Sequence, residues 1–259
     1  MKKTLKTTLE LFALPVLLIA VWFIATRQEI STFVPEPVGL IKTFAEVWTG
    51  PALTLHVLPS LGRLVVGLIG AIIIGVGLGL LIGSKRELRY LLEPVLEFFR
   101  ALPAPVLIPV LMLLIGIDDS MKITVIIIGC MWSILLNTVD GVRSADEVLQ
   151  ETASSYGISG MFRLRYLTLP AASPRIMTGI RQSLSIGLIL VVISEMFAAV
   201  SGLGYQIVVF QRTFKIPEMW SGILLLALIG LVMAFAFEIV ERRTLRWYFG
   251  QREVENRGS

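Results

Sequence analysis

LVVGLIGAIIIGVGLGLLIGS, residues 64–84, runs without a single charged side chain. A helix needs about 20 apolar residues to cross a hydrocarbon core roughly 30 Å thick, and its internal hydrogen bonds spare every backbone group from facing lipid unpaired. Read as a span of about 60–84, this stretch has companions on both sides, at roughly 10–26, 94–116, 121–140, 176–199 and 219–240. The third is the weakest, with Glu93, Glu97 and Arg100 at its start and Pro103, Pro105 and Pro109 inside it. The whole chain agrees with this reading. Of its 259 residues 55% are hydrophobic and 16% charged, and mean hydropathy is +0.81, far from the balance of a water-soluble domain. The expectation is an all-α polytopic membrane protein, a single domain over 1–259 with about six transmembrane helices. Met1 to Thr26 imitates a signal peptide, with Lys2, Lys3 and Lys6 before the apolar run, but no small-residue cleavage site follows; it reads as a retained first helix.

Basic side chains orient such a bundle, because cytoplasmic loops carry the excess of Lys and Arg. Lys2, Lys3, Lys6, Lys85, Arg86, Arg89, Arg100, Arg143, Arg163, Arg165, Arg175, Arg181 and the tail from Arg242 to Arg257 fall on one side. Arg27, Lys42, Arg63, Lys122, Arg212 and Lys215 fall on the other. The first side holds about three quarters of the 23 basic residues, so both termini, the 84–93 loop and the stretch from Glu151 to Pro170 are expected in the cytoplasm of a bacterial inner membrane. The net charge of +4 then reflects contact with the bilayer, and no nucleic-acid partner is expected.

One cysteine, Cys130, and one histidine, His56, leave no material for a disulfide framework or a metal centre. His56 is expected to make a polar contact at a helix end. The chain lacks a G-x-x-x-x-G-K-[ST] phosphate loop, an H-E-x-x-H helix and a G-x-S-x-G elbow. No catalytic residue, metal or cofactor is therefore expected on it. Leu40, Ile41, Phe44, Val47 and Trp48 follow one another at helical spacing after Pro37, the pattern of a helix lying along the outer membrane surface. Gly75, Gly79 and Gly83, and Gly179, Ser183 and Gly187, form two small-residue rows that let helices approach closely, by static packing or along a translocation path. Glu195, at the end of the fifth span, joins them as an ionisable group near membrane depth.

The polar connection between the fourth and fifth spans carries its own signals. Ser144 and Glu147 have capping-box spacing, and Asp146, Glu147 and Glu151 put negative charge on early turns, where the helix dipole favours it. Leu149, Thr152, Ala153 and Tyr156 share one face, Gly157 is placed to end the helix, and Leu169-Pro170 is expected to break the chain before the next span. Partner docking and a simple connector both fit these residues.

The order Glu151-Thr152-Ala153, Gly157, Leu167, Leu169-Pro170 resembles the E-A-A-x3-G-x9-I-x-L-P loop of bacterial ABC importer permeases, with Thr152 and Leu167 as mild departures. HVLPSLGR at 56–63, EPVLEFFRALPAPVLIPV at 93–110, LPAASPRIMTGIR at 169–181 and SEMFAAVSGLGY at 194–205 are similar to the nitrate/sulfonate/taurine type of these permeases. The resemblance implies a coupling loop over about 144–170, in which Glu151, Thr152, Ala153, Tyr156, Gly157, Leu167, Leu169 and Pro170 meet a cytoplasmic ATPase. It implies as partners that ATPase, an extracytoplasmic solute-binding protein and a second copy of the chain. ATP and Mg would bind the ATPase, and the cargo would be a small organic anion such as a sulfonate or taurine. An ion-gradient-driven carrier or channel is the alternative, weakened by the scarcity of ionisable residues near the midplane. A membrane-embedded hydrolase is a third reading, without a motif to support it.

Overall fold

The charge-free stretch belongs to a helix that starts before its apolar edge. In the computed structural model, which describes residues 2–27, 33–144, 146–197 and 199–250, the elements are α1 (Lys2–Arg27), α2 (Pro37–Trp48), α3 (Leu58–Ser84), α4 (Arg86–Ala101), α5 (Ile108–Ile115), α6 (Asp119–Arg143), α7 (Glu147–Ser155), α8 (Gly160–Arg163), α9 (Leu169–Phe197), α10 (Leu203–Arg212) and α11 (Ile216–Thr244). Short π-turns at Leu53–Val57 and Leu164–Thr168 lead into α3 and α9, and a 3-10 turn at Ala104–Leu107 leads into α5. Met1, residues 28–32 of the outward connection, and Arg252 and Arg257 of the basic tail lie outside the described residues.

Four helical runs are long and apolar enough to cross a membrane: Leu53–Ser84, Asp119–Arg143, Gly160–Phe197 and Ile216–Thr244. These are the second, fourth, fifth and sixth of the expected spans. The third expected span is a pair, α4 and the Ala104–Ile115 segment, bent by 84°. Pro103 and Pro105 cause the bend. Proline lacks the N–H that would continue the ladder and drives the residue before it out of the helical region, and Leu102 accordingly sits at ψ 121°. The first expected span lies within α1, where Ala13–Thr26 is an apolar stretch among the described side chains.

Leu169-Pro170 does not break the chain as expected. The preceding π-turn lengthens the hydrogen bond by one residue, so that Leu169 N–H reaches Leu164 O, and the wider turn gives the proline ring room. Leu58-Pro59 is entered in the same way, with Leu58 N–H on Leu53 O.

The core is a three-helix contact of α3, α6 and α9. Leu64, Leu68 and Ala71 meet Met121, Val125, Ile126, Cys130 and Ile134, with Leu190 and Val191 closing the third side. In lipid no hydrophobic effect drives helices together, so dispersion at close range and interhelical hydrogen bonds must do so. The two small-residue rows permit both. A Cβ on Gly79 would stand 2.5 Å from Thr138 Cβ and 2.9 Å from Leu135 O, and one on Gly75 would stand 2.9 Å from Ile134 Cβ. The row on α9 faces the same helix, since Ser183 Oγ lies 2.9 Å from Cys130 O and a Gly179 Cβ would stand 2.9 Å from Ser133 O.

The stripe on α2 departs from its expected place on the membrane surface. Leu40 and Trp48 are buried, and Trp48, Phe44 and Val47 pack with Val57, Leu203, Phe210 and Met219. Trp48 Nε1 donates to Ser221 Oγ at 3.0 Å. An indole N–H away from water needs a partner, and Ser221 of α11 supplies one; Ile41 stays exposed.

Candidate functional site: an exposed loop, a membrane cavity and a buried ion pair

α7 starts on Asp146, whose Oδ1 accepts from Val148 N at 2.8 Å and Leu149 N at 3.2 Å. The expected capping residue, Ser144, instead closes α6 and donates to Gly141 O at 3.0 Å. An aspartate directly before the first turn reaches the free amides with both hydrogen bonding and the helix dipole in its favour. The end of α7 is a Schellman turn, with Ile158 N on Ala153 O at 2.8 Å and Gly157 N on Ser154 O at 3.0 Å. Gly157 takes φ 71°, a value that a side chain resists.

The loop is left uncovered. Tyr156 is 80% exposed, and Val148, Leu149, Met161 and Phe162 are exposed beside it. Glu151 and Thr152 are exposed too, Leu169 is partly so, and Leu167 and Pro170 are half-buried. Ala153 departs from the expected docking face: it is buried, at the edge where α7 turns back to the bundle. An apolar patch of this kind in a polar setting marks a surface for another protein.

Midway along α6 a cavity of about 540 Å³ opens between the α4–α5 bend, α6 and α9, lined by Phe99, Arg100, Trp132, Ser133, Asn137 and Gln182 among others. Trp132 and Phe99 stack with their rings 3° from parallel. Asn137 Nδ2 donates to Ser133 O at 2.8 Å and to Gln182 Oε1 at 3.2 Å, and Ser133 Oγ donates to the same Gln182 oxygen at 2.7 Å. The backbone carbonyl fixes the Asn137 amide, which in turn fixes Gln182, so the Gln182 amide has two N–H donors to offer the cavity. None of Gly75, Gly79, Gly83, Gly179, Ser183, Gly187 and Glu195 lines it. The small residues of both rows make close interhelical contacts. Sequence reading missed Ser133, Asn137 and Gln182; the polar i, i+4 pair on an apolar helix was the available signal.

Glu195 has a different partner. It and Arg63 are 1% and 6% exposed, and Arg63 Nη1 meets Glu195 Oε1 at 2.6 Å. Arg63 also binds Asp119 Oδ1 through Nη2 at 2.8 Å, Ser201 O at 3.0 Å and Ser201 Oγ at 3.1 Å. Ser60 Oγ donates to Glu195 at 2.7 Å, and Gly204 N donates to its other oxygen at 3.0 Å. Every part of this pair is answered, as a buried pair requires. The chain closes over it at Gly202, φ 124°, where a Cβ would overlap the Glu195 carboxyl group. His56 Nδ1 accepts from Gly202 N at 3.3 Å, the helix-end contact expected of it.

Membrane-length helices, a largely apolar cavity with a few polar groups, and an exposed apolar loop at one end are the features of an integral membrane subunit. Residues 71–246 match the family described as binding-protein-dependent transport system inner membrane component, and the chain belongs to that family. It is 32% identical over 241 residues to a protein of Bacillus subtilis (strain 168) assigned as an aliphatic sulfonates transport permease, covering 90% of this chain and 86% of that one. It is 29% identical over 250 residues to the taurine transport system permease protein of Escherichia coli (strain K12), covering 94% and 90%, and 28% identical over 232 residues to the nitrate import permease protein of Synechocystis sp., covering 83% and 82%. An inward-facing structure of the MetNI methionine ABC transporter shares the fold, with TM-score 0.63 at 19% identity over 75% of this chain and 98% of that one. The chain is thus the membrane-embedded permease subunit of an ABC importer and not an enzyme, and such permeases work with an ATPase and a solute-binding protein.

Proposed function

We propose that two copies of the chain form the path for a small anionic solute of the sulfonate, taurine or nitrate kind. A binding protein delivers the solute at the Arg63–Glu195 end, and one ATPase docks on the exposed loop of each copy. The observation that carries the solute class is the agreement of relatives matched over 83% to 94% of the chain. The cavity supports it: the Gln182 amide offers N–H donors to an oxyanion, and the Trp132–Phe99 pair supplies an apolar wall for a short tail. Bare apolar surface at Leu113 and Leu114 of α5 supports a second copy beside the cavity. The basic residues around α4, α7 and α8 support a cytoplasmic loop and cytoplasmic termini. ATP and Mg are held by the ATPase, and the chain itself carries no cofactor. ATP binding there draws the two loops together and opens the far end; hydrolysis reverses it, each state held by its own contacts.

Uptake by proteoliposomes containing the permease, its ATPase and the binding protein tests this. Labelled taurine, an alkanesulfonate and nitrate are offered in turn; uptake of one of them, dependent on ATP and on binding protein, is expected. Uptake that follows an ion gradient without ATPase overturns the proposal, and uptake of none of the three overturns the solute class.

A further inference from the structure

The loop end holds a second cavity, of about 480 Å³, between the end of α3, the start of α4, the end of α6 and the α7–α8 turn. Four arginines line it, Arg86, Arg89, Arg143 and Arg163, and among the described lining residues none is acidic. Their partners are weak. Arg143 stands 3.9 Å from Asp140. Arg86 Nη2 reaches only the Tyr90 hydroxyl, at 3.4 Å, and Arg163 Nη2 only Gln150 Oε1, at 3.4 Å. Arg89 lies 5.2 Å from the Tyr90 ring centre, and its Nε is buried with no hydrogen-bond partner, one of two such side-chain atoms among the described residues. Among the described side chains, three of the four guanidinium groups have no carboxylate within 4.0 Å. Like charges gathered about one void, with a buried donor unmet, call for an anion.

We propose that this pocket binds a phosphate group, carried by an anionic lipid headgroup or by a soluble phosphate, and that the bound group ties α8 and the loop to α4 and α6. Guanidinium forks arriving from three elements suit a tetrahedral anion, which presents oxygens in several directions, better than a planar carboxylate. A membrane source fits the neighbouring surface. α4 supplies Arg86 and Arg89, and the same helix leaves Leu91 73% exposed and Val95 and Phe98 exposed at one-turn intervals. An apolar and basic helix of this type lies at the depth of the headgroups. Placement in the inner leaflet rests on the orientation proposed above; the pocket and its charge do not.

The test uses the purified permease–ATPase complex and native mass spectrometry after addition of phosphatidylglycerol or phosphatidylcholine, beside equilibrium dialysis with labelled inorganic phosphate in their absence. The variants are Arg89→Gln with Arg163→Gln and, as a control of equal charge loss, Arg243→Gln with Arg246→Gln; recovery of intact complex verifies folding. Phosphatidylglycerol is expected to be retained by the natural protein and the control, with retention falling about tenfold in the pocket variant, while phosphatidylcholine is held weakly by all three. Arg89→Lys, which keeps the charge and loses the fork, should fall between. Arginine-dependent binding of inorganic phosphate alone makes the source soluble. Equal retention of both probes by the pocket variant and the natural protein overturns the site. So does absence of both phosphatidylglycerol and phosphate from the intact natural complex, which would assign the four arginines to ATPase carboxylates.

Discussion

The two ends of the helical core are built in opposite ways. At the far end Arg63, Glu195, Ser60, Ser201 and Gly204 answer one another's hydrogen bonds out of water. At the loop end the capped helix α7 is held by its own turn, and its large apolar side chains face outward. A fully satisfied buried network is rigid and costly to disturb. An exposed short helix, by contrast, adapts at little cost to whatever covers it. Stability therefore resides at one end, and the other is left open.

The largest effect expected on this contrast comes from Arg63→Met. It strands Glu195 without its cation, and breaking a buried pair from one side costs about 3–5 kcal/mol. Thermal unfolding of the detergent-purified protein should show a pronounced fall; an unchanged midpoint would mean that the pair carries no stability. Next comes Gly79→Ala on the α3–α6 contact, where the new methyl meets Thr138 Cβ and Leu135 O. Overpacking there should cost about 1–3 kcal/mol. Gly187→Ala should cost less, because its methyl meets the flexible end of Leu64. Equal melting shifts for the two would remove the distinction between backbone and side-chain neighbours.

Gly157→Val sharpens the comparison from the other end. A β-branched residue at φ 71° costs about 1–2 kcal/mol locally, yet the core does not depend on this turn. Co-purification with the ATPase should be lost while the thermal midpoint barely moves. A midpoint depressed as far as that of Arg63→Met would show that the loop and core are one unit. The smallest effect is that of Asp146→Ala, about 1 kcal/mol through loss of the α7 cap, with Ser144→Ala leaving α7 unaffected. Proteolysis within the loop reads this directly, and equal cleavage of the two variants would return the cap to Ser144.

Some of this plan was legible in the sequence because it is written in consecutive residues. The charge-free run at 64–84, the small-residue rows and the Gly157 turn each follow from local periodicity or backbone preference. What was hidden lies in pairings across the chain. Arg63 meets Glu195 across 132 positions, and Ser133 meets Gln182 across 49, so each looked like a lone polar residue. Arg63 was counted only as an outer-side charge. The α2 stripe was read correctly as amphipathic but assigned to lipid, since periodicity shows that a face is apolar and not what covers it. Pro170 looked like a stop because the π-turn that accommodates it has no signature in residue type.

That accommodated proline leaves one uninterrupted helical rod from Gly160 to Phe197, 38 residues and about 57 Å long at the rise of an α-helix. One end is the turn that leaves the docking loop; near the other stands Glu195. The π-turn, Pro170 and Pro174 all lie in the part nearest the loop, so any bend in the rod falls there. The exposed end and the buried ion pair are thus the two ends of a single helix.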